Sequence, residues 1–283
     1  MLTFKNKAIE EALLCPVCKN SVVIIYENSG RMICKGPKIH SYDFAAGGYI
    51  NLGTPLQSGG GDSKQAVRAR SEFLNTGLYT PISDALCEEL NKNLSPNALI
   101  IDAGCGEGYY STAIAKCGFA LAGFDLSKFA CDAAAKRAKA LQLSNAFFGV
   151  ASVFSLPIRD SSADAVVNVF APCAEKEYSR VLKSGGKLVV VSAGEDHLLG
   201  LKKAVYDEIR RNDERADMPA EMKKISTRRV KYNITVDGND KIRSLFEMTP
   251  YYWKTSQKDM LKLENIESLQ TEIDVNIEVY QKI

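Results

Sequence analysis

No apolar stretch in these 283 residues approaches the ~20 consecutive apolar residues of a membrane span. A membrane-embedded role is therefore not expected. The opening segment carries Lys5, Lys7, Glu10 and Glu11 and lacks a signal-peptide core, so a cytoplasmic protein is expected. Histidine is scarce: His40 and His197 are the only two, so a metal centre must draw most of its ligands from other residue types. The eight cysteines are not spaced like a secreted disulfide framework. Internal repeats and low-complexity tracts are absent, which excludes solenoids and disordered tails.

What is present is the composition of an ordinary soluble domain, 46% apolar and 25% charged. The length suffices for one α/β domain plus a small module. The net charge of +2 is unevenly spread. Residues 1–80 hold nine Lys/Arg against six Asp/Glu, and residues 201–231 hold ten against six. Two mildly basic regions flank an acidic body, an arrangement that suits either a polyanionic partner or plain solvated surface.

Cysteines cluster only near the N-terminus. Cys15-Pro-Val-Cys18 is a metal-knuckle spacing, and Cys34 and His40 offer the other two ligands. Val22–Tyr26 reads as a strand, 28–30 as a turn and Arg31–Cys34 as the returning strand, a hairpin that would bring the two pairs together. Residues 13–53 contain too few apolar side chains for a core of their own, whereas zinc contributes ~10–16 kcal/mol in isolated fingers. Zinc held by Cys15, Cys18, Cys34 and His40 is the expectation, with Asp43 or a water as the alternative fourth ligand. A redox pair would call for a thioredoxin-like βαβ pattern, which residues 1–50 lack. Cys87, Cys105, Cys117, Cys131 and Cys173 read as small apolar residues.

Gln57–Gly61 reads as a Gly-rich connection. A helix is expected from an Asp62 N-cap, with Gln65 completing a capping box, to Asn75, and a second from Pro81 to Asn93. From Ala98 onward strands are expected at 98–103, 119–125, 146–150, 163–170 and 187–193, and helices at 108–117, 128–142, 174–182 and 197–211. That rhythm calls for a doubly wound parallel sheet. Residues 228–236 and 268–280 read as an antiparallel edge pair, and Met218–Lys224 as a lid or insertion.

The cofactor signal lies in Ile100–Tyr110. A buried strand ends in Asp102, and Gly104, Gly106 and Gly108 alternate behind it. Glycines there let the backbone approach a ligand. About 20 residues on, a second strand ends in Asp125, placed for a ribose diol. A dinucleotide fingerprint is G-x-G-x-x-G, and an acid at Asp102 would repel pyrophosphate. It suits the amino group of S-adenosylmethionine, which carries no phosphate. Leu126 would pack on adenine, with Ala151 and Ser152 at the adenine edge; Ser152 reads equally as a structural loop residue. Phe170-Ala-Pro-Cys173 faces the transfer site. It lacks the Asn/Asp-Pro-Pro pattern that holds an exocyclic amine, so ring nitrogen, carbon or oxygen acceptors gain weight.

Over nearly its whole length the chain resembles the bacterial 23S rRNA guanine-N1 methyltransferases of the RlmA type. The matching stretches are Cys15–Cys18, Phe44–Leu52, Ala69–Leu74, Gly77–Tyr79, Asp102–Tyr110, Phe170–Cys173, His197-Leu198 and Met248–Pro250. The resemblance implies an α/β fold of the class I, Rossmann-like, S-adenosylmethionine-dependent type behind a small zinc-ribbon-like module. It divides the chain into an RNA-recognition module (1–53), a linker with helices closing the cofactor site (54–97) and the methyltransferase domain (98–283). It implies zinc on Cys15, Cys18, Cys34 and His40, although the last pair is wider here than is usual in the family. Further cofactor contacts are implied at Tyr79, Tyr110, Ser111 and His197. The implied reaction methylates N1 of one guanine in a hairpin of domain II of 23S rRNA. Members divide between two neighbouring guanines, and some contribute to macrolide resistance.

Guanine N1 must lose a proton; the residues do not assign the base, His197 being a candidate that reads first as cofactor packing and Glu107 a further candidate. Lys19, Arg31, Lys35, Lys38, Arg68 and Arg70 are the candidate hairpin contacts. A homodimer is compatible with these features. A small-molecule methyltransferase with a structural zinc module is the alternative function, and a non-catalytic zinc-ribbon RNA-binding protein a further one.

Overall fold

The computed structural model describes residues 4–27, 30–53, 61–209, 211–212 and 221–283. The N-terminal part holds helix α1 (Lys7–Ala12) and strands β1 (Val22–Ile25), β2 (Arg31–Cys34), β3 (Ser41–Asp43) and β4 (Ile50–Asn51). Helices α2 (Lys64–Leu74) and α3 (Thr80–Asn93) follow. Next come β5 (Leu99–Ala103), α4 (Tyr109–Lys116), β6 (Ala120–Asp125), α5 (Lys128–Ala140) and β7 (Ala146–Val150). They are followed by β8 (Ala163–Val169), α6 (Glu175–Val181), β9 (Leu182–Ala193) and α7 (Leu199–Val205). The chain closes with β10 (Met222–Asp237), α8 (Asn239–Glu247), α9 (Gln257–Leu261) and β11 (Ser268–Lys282).

Eight strands form one sheet in the order β10-β11-β9-β8-β5-β6-β7-β4. The run from β4 to β9 is parallel, and β11 and β10 add an antiparallel edge pair. Every residue of β5 and β7 is buried, as expected of strands covered on both faces. The chain leaves β5 toward β6 and β7, then returns to pair β8 on the other side of β5. This reversal opens a crevice at the carboxyl ends of β5 and β8, the place where open α/β sheets bind ligands. Asp102 and Phe170 stand there.

The N-terminal segment packs directly on the main sheet. Ile9, Leu13, Ile24, Met32 and Phe44 share one apolar cluster with Leu99, Ile101, Phe124 and Phe147 of the main sheet. Strand β4 pairs with β7, through Ile50 opposite Gly149 and Asn51 opposite Val150. Burial against the sheet thus supplies the core that residues 13–53 lack. The opposite face is covered by α2, α3, α4, α5, α7 and α8.

Several expected boundaries shift. Ser63, not Asp62, caps α2: its side chain accepts from the Ala66 N–H at 3.2 Å. Gln65 therefore completes no capping box; its amide donates to Glu247 at 3.4 Å. The expected helix over 197–211 is confined to Leu199–Val205, entered through a left-handed Leu198 with φ 58°. Of the interruption expected at Met218–Lys224, Met222–Lys224 instead open β10; residues 218–220 lie outside the described residues. The Gly-rich connection at 57–60 and the turn at 28–29 also lie outside them. Among the described residues no helix is long and apolar enough to cross a membrane.

Candidate functional site

Strand β5 delivers Asp102 to the crevice with only 2% of its surface exposed. Burial lifts its pKa to about 7; the Ser111 hydroxyl, donating to Oδ2 at 2.5 Å, opposes that rise. Ser111 is fully buried on α4, so the structure makes it the support of Asp102. Strand β6 ends in Asp125, whose Oδ2 accepts from the Gly106 N–H at 3.1 Å and Oδ1 from the Ser127 N–H at 2.8 Å. Burial raises the Asp125 pKa too, and these N–H groups work against it. Each carboxylate oxygen keeps lone-pair capacity for a further donor.

Between the acids the glycines serve packing as well as approach. At Gly104 (φ 91°) a Cβ would lie 2.5 Å from the Ala171 Cβ, so the loop after β8 sits directly on the glycine turn. At Gly108 (φ 83°) it would lie 2.7 Å from the Ala134 Cβ, where α4 crosses α5. Gly106 (φ 53°) faces Arg70. Arg70 pairs with Asp62, and the Ser127 hydroxyl donates to the Asp62 carbonyl at 2.6 Å. Arg70 is thus a brace over the glycine loop, not part of a free basic surface. Arg68 is exposed and pairs with Glu72 on its own helix at 2.7 Å.

Tyr79, His197 and Phe170 form the wall on the β8 side. Tyr79 is 2% exposed, and its hydroxyl lies 3.4 Å from His197 Nε2. His197 Nδ1 accepts the Asp274 N–H at 3.3 Å, which places the ring proton on Nε2, toward the Tyr79 oxygen. Burial depresses the His197 pKa to about 4. The imidazole is therefore neutral with both nitrogens engaged, and it has no lone pair left for the proton of an acceptor. This geometry makes His197 a packed residue of the crevice wall. Phe170 stacks on the imidazole, centroids 5.7 Å apart and planes 18° off parallel.

The other expected residues fall as follows. Tyr110 packs edge-on against Tyr109, and its buried hydroxyl has no hydrogen-bond partner among the described residues. The Ala151 N–H donates to the Asp125 carbonyl at 3.0 Å, tying the loop after β7 to the second acid. The Ser152 hydroxyl accepts the Phe154 N–H at 3.2 Å, a local turn. Glu107 is buried, with Arg137 Nε 3.3 Å from its Oε2; burial raises its pKa, and the Arg137 charge opposes that rise. Two supports carried no sequence signal. The Asp274 N–H that orients His197 lies far along the chain. Asp274 itself is fully buried on β11 and takes a bidentate pair from Arg229, both contacts 2.7 Å, which holds its pKa below the usual range. An acid in the apolar alternation of a strand is the one cue that could have flagged it.

A second cluster lies in the N-terminal segment. One donor atom from each of Cys15, Cys18, Cys34 and His40 falls within 4.8 Å of the others. His40 Nδ1 is 3.6 Å from Cys15 Sγ and 3.5 Å from Cys34 Sγ. A tetrahedral centre with metal–sulfur bonds of ~2.3 Å and metal–nitrogen bonds of ~2.0–2.1 Å separates sulfur from nitrogen by about 3.6 Å. The wide Cys34–His40 spacing closes because the His40 N–H turns back to Cys34 Sγ at 3.0 Å. The knuckle itself needs a left-handed Lys19, φ 57°, whose N–H returns to the Cys15 carbonyl at 2.9 Å. Asp43 pairs with Arg31 at 2.8 Å and is not in the cluster. Lys19, Lys35 and Lys38 are exposed around it.

A family described as a methyltransferase domain matches residues 94–270. A Bacillus subtilis protein provisionally named a 23S rRNA (guanine-N1)-methyltransferase is 29% identical over 95% of this chain and 96% of its own. A Micromonospora griseorubida protein with the same provisional name is 32% identical, covering 67% of this chain and 68% of its own. The 23S rRNA (guanine(748)-N1)-methyltransferase of Streptomyces fradiae is 31% identical, covering 71% and 70%. The acid–glycine–acid loop and the whole-length similarity together place the chain in the methyltransferase domain family, and within it in the family of 23S rRNA (guanine-N1)-methyltransferases.

Proposed function

We propose that this protein transfers the methyl group of S-adenosylmethionine to N1 of a guanine in a hairpin of 23S rRNA. The observation that carries the donor is the pair Asp102 and Asp125, held on either side of the glycine loop at the crevice of the sheet. S-adenosylmethionine supplies an electrophilic methyl group on its sulfonium when bound. Asp102 would hold the amino group of the cofactor, and Asp125 its ribose hydroxyls. Gly104 and Gly106 would let the ligand approach the backbone, and Ala151 and Ser152 would border its adenine. Tyr79, Tyr110 and His197 close the crevice and exclude water. Alignment of donor and acceptor is the main protein contribution, since the cofactor already carries the activated methyl.

Zinc on Cys15, Cys18, Cys34 and His40 would fix the N-terminal segment and present Lys19, Lys35 and Lys38 to phosphates. Thiolate-rich sites with one imidazole suit zinc. The compartment that fits this substrate is the cytoplasm.

The test is transfer of a tritiated methyl group to 23S rRNA from a strain lacking this protein, followed by primer extension. A single new stop at one guanine is expected, because N1 methylation blocks base pairing. Transfer to small molecules with none to RNA overturns the proposal.

A further inference from the structure

Among the described residues, Phe170 is the one aromatic with a left-handed backbone, and it is exposed at the crevice. Its φ of 52° lies in the left-handed region, which costs a residue with a Cβ roughly 1–2 kcal/mol. Bulky residues persist there only where the surroundings over-determine them, typically at functional sites. Those surroundings are explicit. The Phe170 N–H donates to the Val191 carbonyl at 3.0 Å. The buried Asn168 amide and Tyr178 hydroxyl both donate to the Pro172 carbonyl, at 3.0 and 3.1 Å. Ala171 is seated against Gly104.

His197 covers one face of the Phe170 ring at 5.7 Å, and 44% of Phe170 remains exposed at the mouth. His197 is in turn held by the Asp274 N–H and the Tyr79 hydroxyl, so the platform is rigid before any ligand arrives. An apolar ring presented in this way offers a π-face and no hydrogen bonds. A splayed nucleobase is the ligand class that such a face takes.

We propose that Phe170 is the positioning platform on which the target base stacks, with the ring facing solvent until RNA binds. This rests on the reading of the protein as an RNA methyltransferase. Stacking fixes the plane of the base, and the rigid link from Phe170 through Ala171 to Gly104 fixes that plane relative to the cofactor loop. It replaces the amine-holding Asn/Asp-Pro-Pro segment absent from this chain. Phe170 moves no proton and forms no bond.

The experiment compares wild type, Phe170→Leu and Phe170→Tyr in methyl transfer to unmethylated 23S rRNA, with S-adenosylmethionine affinity measured by calorimetry. A stacked base contributes about 5- to 150-fold by side-chain truncation. Phe170→Leu is expected to lose that factor in kcat/KM for RNA while binding the cofactor within about 2-fold of wild type. Phe170→Tyr keeps a stacking face and is expected to stay near the wild-type rate. Phe170→Gly relieves the backbone and removes the ring, so it is expected to fold and to lose at least the same factor in kcat/KM for RNA. Wild-type kcat/KM in Phe170→Leu or Phe170→Gly overturns the platform while leaving the RNA reading intact. Absence of RNA methylation by wild type overturns the RNA reading and the platform with it.

Discussion

Replacing Asp102 by Asn should stabilise the cofactor-free protein and destroy its affinity for cofactor. The carboxyl is 2% exposed, and its pKa is raised from 3.8 to about 7. A raised acid pKa means that the native state binds the proton more tightly than the unfolded chain. Stability then falls as pH rises from about 4 through about 7, and it levels above that. Three pKa units at 1.36 kcal/mol each make this on the order of 4 kcal/mol when fully developed. Asn retains an acceptor for the Ser111 hydroxyl and has no charge to desolvate. Thermal or denaturant unfolding without cofactor, from pH 4 to pH 8, should show Asp102→Asn near wild type at the acid end and more stable at the alkaline end. S-adenosylmethionine should reverse the order, because an ammonium partner returns the wild-type carboxylate to its charged form. A stability difference independent of pH would refute the assignment of burial as the cause. Wild-type cofactor affinity in the Asn variant would refute its role.

Two further outcomes follow from the geometry. Gly108→Ala places a Cβ 2.7 Å from Ala134 at a φ of 83°, so it should cost ~2–4 kcal/mol in chemical denaturation. Gly118→Ala, with φ 92° and nothing within 4 Å, should cost only the left-handed part, ~1–2 kcal/mol; equal losses would contradict the packing argument. One equivalent of zinc per chain is expected by elemental analysis, and chelation should uncover the apolar face of β1 and β2 to a hydrophobic dye. A purified protein that binds no zinc when supplied with it would remove the metal reading.

The legibility of the fold follows from burial. Strands β5 to β8 read as apolar runs because they are covered on both faces, and the glycine loop reads because only glycine tolerates its dihedrals and contacts. The long strands β10 and β11 were legible for their alternation, but β10 begins several residues earlier than its pattern suggests. There Met222 is buried while Lys223 and Lys224 face solvent. The cap of α2 is Ser63 and not Asp62: the Asp62 carboxylate pairs with Arg70 on that same helix, and its carbonyl accepts the Ser127 hydroxyl from across the fold.

By itself the sequence determined the local chemistry: a Cys-x-x-Cys knuckle, acids at two strand ends, and glycines where the backbone must turn left-handed. These are short-range requirements, set by sterics and ligand geometry within a few residues. Only the tertiary structure decided what each of those groups can do. It turned Ser111 into the support of Asp102, Arg70 into a brace over Gly106, and His197 into a neutral wall. It also docked the N-terminal segment on the main sheet and left Phe170 strained at the mouth. Those outcomes depend on protons, burial and contacts supplied by residues far apart in the chain, and no spacing rule encodes them.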